Sequence, residues 1–139
     1  MPYDNDNIFA KILRGEMPAF TVHETEHCLA FLDVMPQSDG HTLVLPKQPA
    51  ETVFELSDES AEHLIVTVRN VAAAVRDAFS PDGIRLMQLN GAAAGQTVPH
   101  VHMHIVPCYA DSPARPHADR MAETELLETH AAKIRAALG

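Results

Sequence analysis

Pro99-His100-Val101-His102-Met103-His104-Ile105-Val106-Pro107 sets three histidines in alternation with three apolar residues between two prolines. Successive side chains of a strand point to opposite faces, so the spacing predicts His100, His102 and His104 on one face and Val101, Met103 and Ile105 on the other. One face suits chemistry and the other suits a core. Three readings of the polar face stand side by side. The histidines could decorate a half-exposed strand. They could hold a metal, since histidines at i and i+2 reach one zinc ion and three make an open catalytic set, although no further Cys or His lies close in sequence. Or one could be a nucleophile: neutral imidazole attacks phosphorus near neutral pH, because its ordinary pKa of about 6.5 leaves it mostly uncharged. In that reading Nδ1–H must be fixed by a carbonyl or another partner so that Nε2 is offered to the substrate.

Outward from this stretch, Gly91 to Thr97 is a small-residue loop, and Ile84 to Asn90 alternates as a strand that should pair antiparallel with the histidine strand. Ala61, Leu64, Ile65, Val68, Val71, Ala72, Val75 and Phe79 follow the 3.6 period, with Ser57 as N-cap, Asp58 and Glu59 in the first turn, and Pro81 and Gly83 beyond the end. This is the main helix. His41 to Pro46 is an apolar strand behind a Pro- and Gly-bearing loop. Phe20–Glu24 and Cys28–Leu32 form a hairpin, and Ile8 to Leu13 a short helix capped by Asp6 or Asn7 and stopped at Gly15. Downstream, the irregular segment with Pro113 and Pro116 reads as a connector over Asp111 to Asp119, and Leu126, Leu127, His130, Ile134 and Leu138 share one face of a final helix over residues 123–138. Antiparallel strands with helices between and after them give an α+β fold.

With 139 residues the chain is predicted to be a single domain. No apolar run approaches the roughly 20 residues of a membrane span, and the opening Met1-Pro2-Tyr3-Asp4-Asn5-Asp6 lacks a secretory signal, so the expected location is the cytoplasm. Cys28 and Cys108 have no metal-ligand spacing and are expected to be free thiols. A formal net charge of −9 argues against a nucleic-acid partner, which clustered Lys and Arg would serve, but leaves room for a small anion held by N–H groups.

Ile8-Phe9-Ala10-Lys11-Ile12 with Gly15-Glu16-Met17-Pro18-Ala19, the run from Ala30 through Asp33 and His41 to Lys47, Asn90-Gly91 through Pro99, and His-x-His-x-His followed by two apolar positions together resemble the histidine-triad (HIT) family, in its Hint-like branch. The resemblance covers about residues 7–107, leaving 108–139 as a C-terminal extension with its helix. It implies a five-stranded antiparallel sheet with two main helices and a homodimer with a continuous sheet. It further implies a hydrolase or transferase acting at the α-phosphate of purine nucleoside phosphoramidates or related nucleotidyl conjugates, an AMP or GMP moiety being the expected substrate part. His102 would form a nucleotidyl-histidine, His100 would orient it partly through its backbone carbonyl, and His104, Gln96 and Thr97 would contact the phosphate and leaving group. His41 would fix the nucleophile's surroundings. Asp33 would bind the ribose hydroxyls, Ile8, Phe9, Ile12, Phe31 and Val34 would enclose the base, and Asn90 would stand at the phosphate-side rim. A dinucleoside polyphosphate hydrolase and a non-enzymatic nucleotide-binding adaptor are the competing readings. Many bacterial relatives carry a structural zinc on two cysteines at the positions of Asn7 and Ala10, a histidine after the Val-Leu-Pro-Lys strand and the leading triad histidine. Here the cysteines are absent and Gln48-Pro49 follows the strand, so no structural zinc and no required cofactor are expected.

Overall fold

Asn7 accepts the Ala10 N–H through its side-chain oxygen at 2.9 Å, which starts α1 (Ile8–Leu13) one residue later, and Gly15 ends it at a φ of +77°. The structure, a computed structural model, describes residues 2–113 and 120–139. Beyond α1 come β1 (Thr21–Glu24), β2 (Cys28–Leu32), β3 (Thr42–Pro46), α2 (Asp58–Phe79), β4 (Gly83–Gln88), β5 (Met103–Cys108) and α3 (Thr124–Leu138), with short 3-10 turns at Val53–Glu55 and Ala92–Ala94. The five strands form one antiparallel sheet in the order β1-β2-β3-β5-β4, the α+β architecture expected. Of the predicted connector over residues 111–119, residues 114–119 lie outside the described residues.

Both β2 and β3 are buried at every residue, which requires cover on both faces of the sheet. Cys28, Ala30, Leu32, Val44 and Ile105 face α2 and α3, where Leu64, Val68, Val71 and Val75 of α2 meet Leu127, Ala131 and Ile134 of α3. The alternate residues Leu29, Phe31, Leu43 and Leu45 pack with Phe9 of α1 on the opposite face. The period of two thus splits each strand between two cores. Helix α2 begins where Ser57 accepts the Ser60 N–H, carries Asp58 and Glu59 in its first turn, and closes at Ser80 in a left-handed conformation. Cys28 and Cys108 are free thiols, and among the described residues no helix is long and apolar enough to cross a membrane.

The histidine stretch departs from the expected single strand. β5 starts only at Met103, which pairs with Val44 and Gln88, so His104 alone of the three lies in the ladder. Pro46 explains the early end: its nitrogen has no hydrogen, and its carbonyl accepts the His100 side chain at 2.8 Å instead of a backbone donor. His100 N–H bonds to Val98 O and Val101 N–H to Ala50 O, which carries residues 100–102 off the sheet. All three histidines are buried, so the reading as surface decoration is overturned. Smaller shifts are of end residues: Phe20, His41 and Asn90 flank their strands, and β1 bulges between Thr21 and His23.

Gly40 holds a φ of +93°, and a Cβ there would meet the Phe79 ring at 3.0 and 3.1 Å and Pro107 at 3.2 Å. Gly40→Ala is therefore expected to lower stability by about 1–3 kcal/mol through backbone strain and overpacking, read as a lower urea midpoint. A midpoint equal to the wild type's would contradict this.

Candidate active site

On the sheet face that carries Phe9, Phe31 and Leu43 lies a cavity of about 440 Å³. It brings together most of the residues picked from sequence: Ile8, Phe9, Ile12, Phe31 and Val34 supply apolar wall, and Asp33, Thr97, His102 and His104 supply the polar end. Met17, Pro18, Ala19, Phe20, Met35, Leu43, Val98 and Met121 complete the lining and were not singled out as site residues. The first three sit directly after the α1 turn, where the Met-Pro-Ala run was legible as a motif but not as a wall. Met121 arrives from far along the chain because Ala122 N–H donates to Val34 O at 2.9 Å.

His102 is fixed by one short bond, Nδ1 to the His100 carbonyl at 2.6 Å. A carbonyl only accepts, so Nδ1 carries the proton and, in the neutral ring, Nε2 carries the lone pair. The Phe9 ring meets the imidazole edge-on, with centroids 4.9 Å apart. His104 has the opposite tautomer. Gln37 N–H donates to His41 Nδ1 at 3.0 Å, which puts the His41 proton on Nε2; that proton is donated to His104 Nδ1 at 3.0 Å and leaves the His104 proton on Nε2. His41 therefore lies behind the pocket and sets the ring that lines it. The Asp33 carboxylate lines the cavity, accepts Met35 N–H at 2.8 Å and approaches His41 Nε2 at 3.6 Å.

His100 is buried away from the cavity with both ring nitrogens engaged. Nε2–H donates to Pro46 O at 2.8 Å, and Nδ1 accepts from the Tyr3 hydroxyl at 2.5 Å. The Tyr3 oxygen accepts Asn7 Nδ2 at 2.8 Å, while Gln48 is turned to Glu55 O and Ser57 N–H. A tyrosine hydroxyl, a neutral amide and an alanine at position 10 do not fit a zinc ion, which takes thiolate, imidazole or carboxylate donors.

Two predicted contacts are placed elsewhere. Gln96 accepts Gly91 N–H and donates to Glu51 O and Val98 O, so its amide staples the loop before the histidines. Asn90 exchanges bonds with Gln88 and accepts Val53 N–H at 2.9 Å, outside the cavity lining. Of the groups with metal-ligand atoms close together, Asp33, His41 and His104 are joined by the His41–His104 hydrogen bond. His27 and His63 stack with ring centroids 3.7 Å apart beside Glu59.

Burial holds the His100 pKa below the ordinary 6.5, partly offset by the Pro46 bond, and burial also lowers that of His130. Below pH 6.5 the unfolded chain then binds more protons than the folded one. Stability is therefore expected to be complete above that pH and to fall as pH drops toward the folded values. Thermal melts between about pH 7 and pH 5 test this, a flat melting temperature being the contrary result.

The HIT domain family matches residues 14–111. A relative from Schizosaccharomyces pombe, adenosine 5'-monophosphoramidase hnt1, is 44% identical over 100 residues, 72% of each chain. A HIT-like protein from Bartonella henselae, solved with an unknown ligand, superposes with a TM-score of 0.91 at 44% identity, covering 98% of this chain and 99% of that one. A zinc-bound histidine triad protein from Mycobacterium smegmatis superposes with a TM-score of 0.83 at 30% identity over 96% and 93% of the two chains. With its histidines, sheet and matched segment in agreement, the chain belongs to the HIT family.

Proposed function

We propose that this protein is a nucleotide hydrolase or transferase that cleaves at the α-phosphate of purine nucleoside phosphoramidates or related nucleotidyl conjugates, through a covalent intermediate on His102. The observation that carries the reading is the 2.6 Å bond from His102 Nδ1–H to the His100 carbonyl, on a ring that lines an apolar cavity. It keeps the lone pair on Nε2, the atom a phosphorus electrophile needs. The similarity to the adenosine 5'-monophosphoramidase of Schizosaccharomyces pombe supports the phosphoramidate class.

In the first step the Nε2 pair bonds to the α-phosphorus while the bond from phosphorus to the leaving nitrogen or oxygen breaks. The leaving group takes that electron pair and a proton. Positive charge grows on the ring, and the His100 carbonyl stabilises it through Nδ1–H. His104 Nε2–H serves a non-bridging oxygen or the leaving atom, with Thr97 beside it, and Gln96 acts by holding the loop. In the second step a water oxygen bonds to phosphorus and gives a proton to solvent, which replaces the one the leaving group took from solvent, while the P–Nε2 bond breaks and its pair returns to Nε2. Asp33 accepts the ribose hydroxyls, and the wall from Ile8 to Val34 encloses an adenine or guanine. No step uses a metal.

The partner we propose is a second copy of this chain. β4 is an edge strand, and the half-exposed Ile65 of α2 and Leu86 of β4 flank an apolar groove of about 290 Å³. An open edge beside an apolar patch is the physical description of an interface.

His102→Ala is expected to slow AMP release from an aminoalkyl adenosine phosphoramidate by at least about a thousandfold and to abolish the adenylated protein seen by mass spectrometry in the wild type. Turnover at the wild-type rate would overturn the nucleophile. Wild type that binds AMP without turnover would favour the adaptor reading, and a marked preference for dinucleoside polyphosphates the other hydrolase. For the assembly, Leu86→Asp is expected to halve the mass seen by light scattering; a monomeric wild type would refute the dimer.

A further inference from the structure

The carbonyl that aims His102 lies outside the sheet. Residues 100–102 precede β5, so no strand ladder holds the His100 peptide in place. What holds it is the Val101 N–H bond of the same peptide to Ala50 O at 2.9 Å, together with the His100 ring, gripped at both nitrogens: by Pro46 O from the end of β3, and by the Tyr3 hydroxyl from the N-terminal segment. The direction of these bonds is settled by chemistry. Pro46 O can only accept, so the His100 proton is on Nε2; Nδ1 must then accept, and the Tyr3 O–H donates to it. Burial keeps the ring neutral, which preserves that arrangement.

Asn7 ties the same node to the cavity wall. Its Nδ2 donates to the Tyr3 oxygen and to Asp4 O, and its Oδ1 caps α1 by accepting Ala10 N–H. α1 carries Phe9, whose ring stands edge-on to His102. One hydrogen-bonded cluster therefore controls the carbonyl that orients the His102 ring and the aromatic side that confines it. It occupies the place for which a zinc ion is the wrong fit, and Tyr3 lies outside the residues matched to the HIT domain.

We propose that Tyr3 is a positioning residue for the nucleophile, its hydroxyl holding the His100 ring and through it the carbonyl that orients His102. The claim for catalysis rests on the function proposed above; the claim for orientation does not. Tyr3→Phe keeps the ring, which packs edge-on against His100 at 5.6 Å, and removes only the hydroxyl.

The expected result in Tyr3→Phe is a fall of about tenfold in kcat for AMP release from the adenosine phosphoramidate, with KM changed by less than about twofold, because orientation and not binding is lost. Nitrogen and proton NMR of the labelled histidines gives a readout that needs no turnover. In the wild type His100 is the Nε2–H tautomer, and in Tyr3→Phe both its Nδ1 resonance and the His102 Nδ1–H signal move. An unchanged His102 Nδ1–H signal, or a variant that loses only melting temperature while kcat stays at the wild-type value, overturns the proposal. So does stoichiometric zinc in the purified wild type, since the metal would need His100 Nδ1. If wild type releases no AMP, the function fails, and the NMR comparison still decides whether Tyr3 positions His102.

Discussion

A single backbone carbonyl, that of His100, fixes which nitrogen of His102 is protonated, and the rest of the site exists to keep that carbonyl in place. An imidazole in water exchanges between tautomers; one bonded at 2.6 Å to a group that only accepts does not. The constraint is demanding because residues 100–102 have left the sheet. Support comes instead from three remote points: Pro46 O and Tyr3 on the His100 ring, and Ala50 O on Val101 N–H. Catalytic geometry is thereby borrowed from three separate parts of the chain.

The sheet contributes by having two unlike faces. α2 and α3 cover one with a continuous aliphatic core, so the strands are anchored without help from the other side. The other face, covered by α1 and its neighbouring turn with Thr97, Val98 and Met121 at the margin, leaves room for the cavity. Leu43 and His104, registered partners in β3 and β5, both reach the cavity, and the next residue of each strand, Val44 and Ile105, enters the helical core. A one-residue slip of β5 would exchange His104 for a core residue, so the register that the core demands also places the site.

What could be read in advance follows from the range of the forces. The caps at Asn7 and Ser57, the apolar face of α2 and the existence of β2 and β3 as apolar strands are decided by neighbours a few residues away, and each was legible. The start of β5 was not, because it is decided by Pro46, more than fifty positions distant, whose carbonyl binds a side chain. Asn90 and Gln96 stand in motif positions, yet their amides satisfy backbone groups of residues 51 and 53, contacts with no local signature. Met121 and Tyr3 are joined to the site only through the folded chain, Tyr3 to His100 across 97 positions. The pairing of opposite tautomers at His102 and His104 could not be read from His-x-His-x-His at all, since the spacing treats the histidines alike.

Those opposite tautomers answer a problem set by the composition. The chain carries 19 acidic residues against 10 Lys and Arg, and among the described residues the cavity lining includes no Lys or Arg and one carboxylate, Asp33. A phosphate brought to such a site has to be held by neutral donors in a low-dielectric surrounding, where a hydrogen bond is stronger than in water. Protonating the histidines would supply positive charge, but it would also remove the lone pair at His102 and, at His41, the acceptor for Gln37 N–H. Keeping the rings neutral and splitting their roles avoids that conflict. His102 presents a lone pair and His104 presents an N–H, so one cluster supplies both a nucleophile and a donor from uncharged rings.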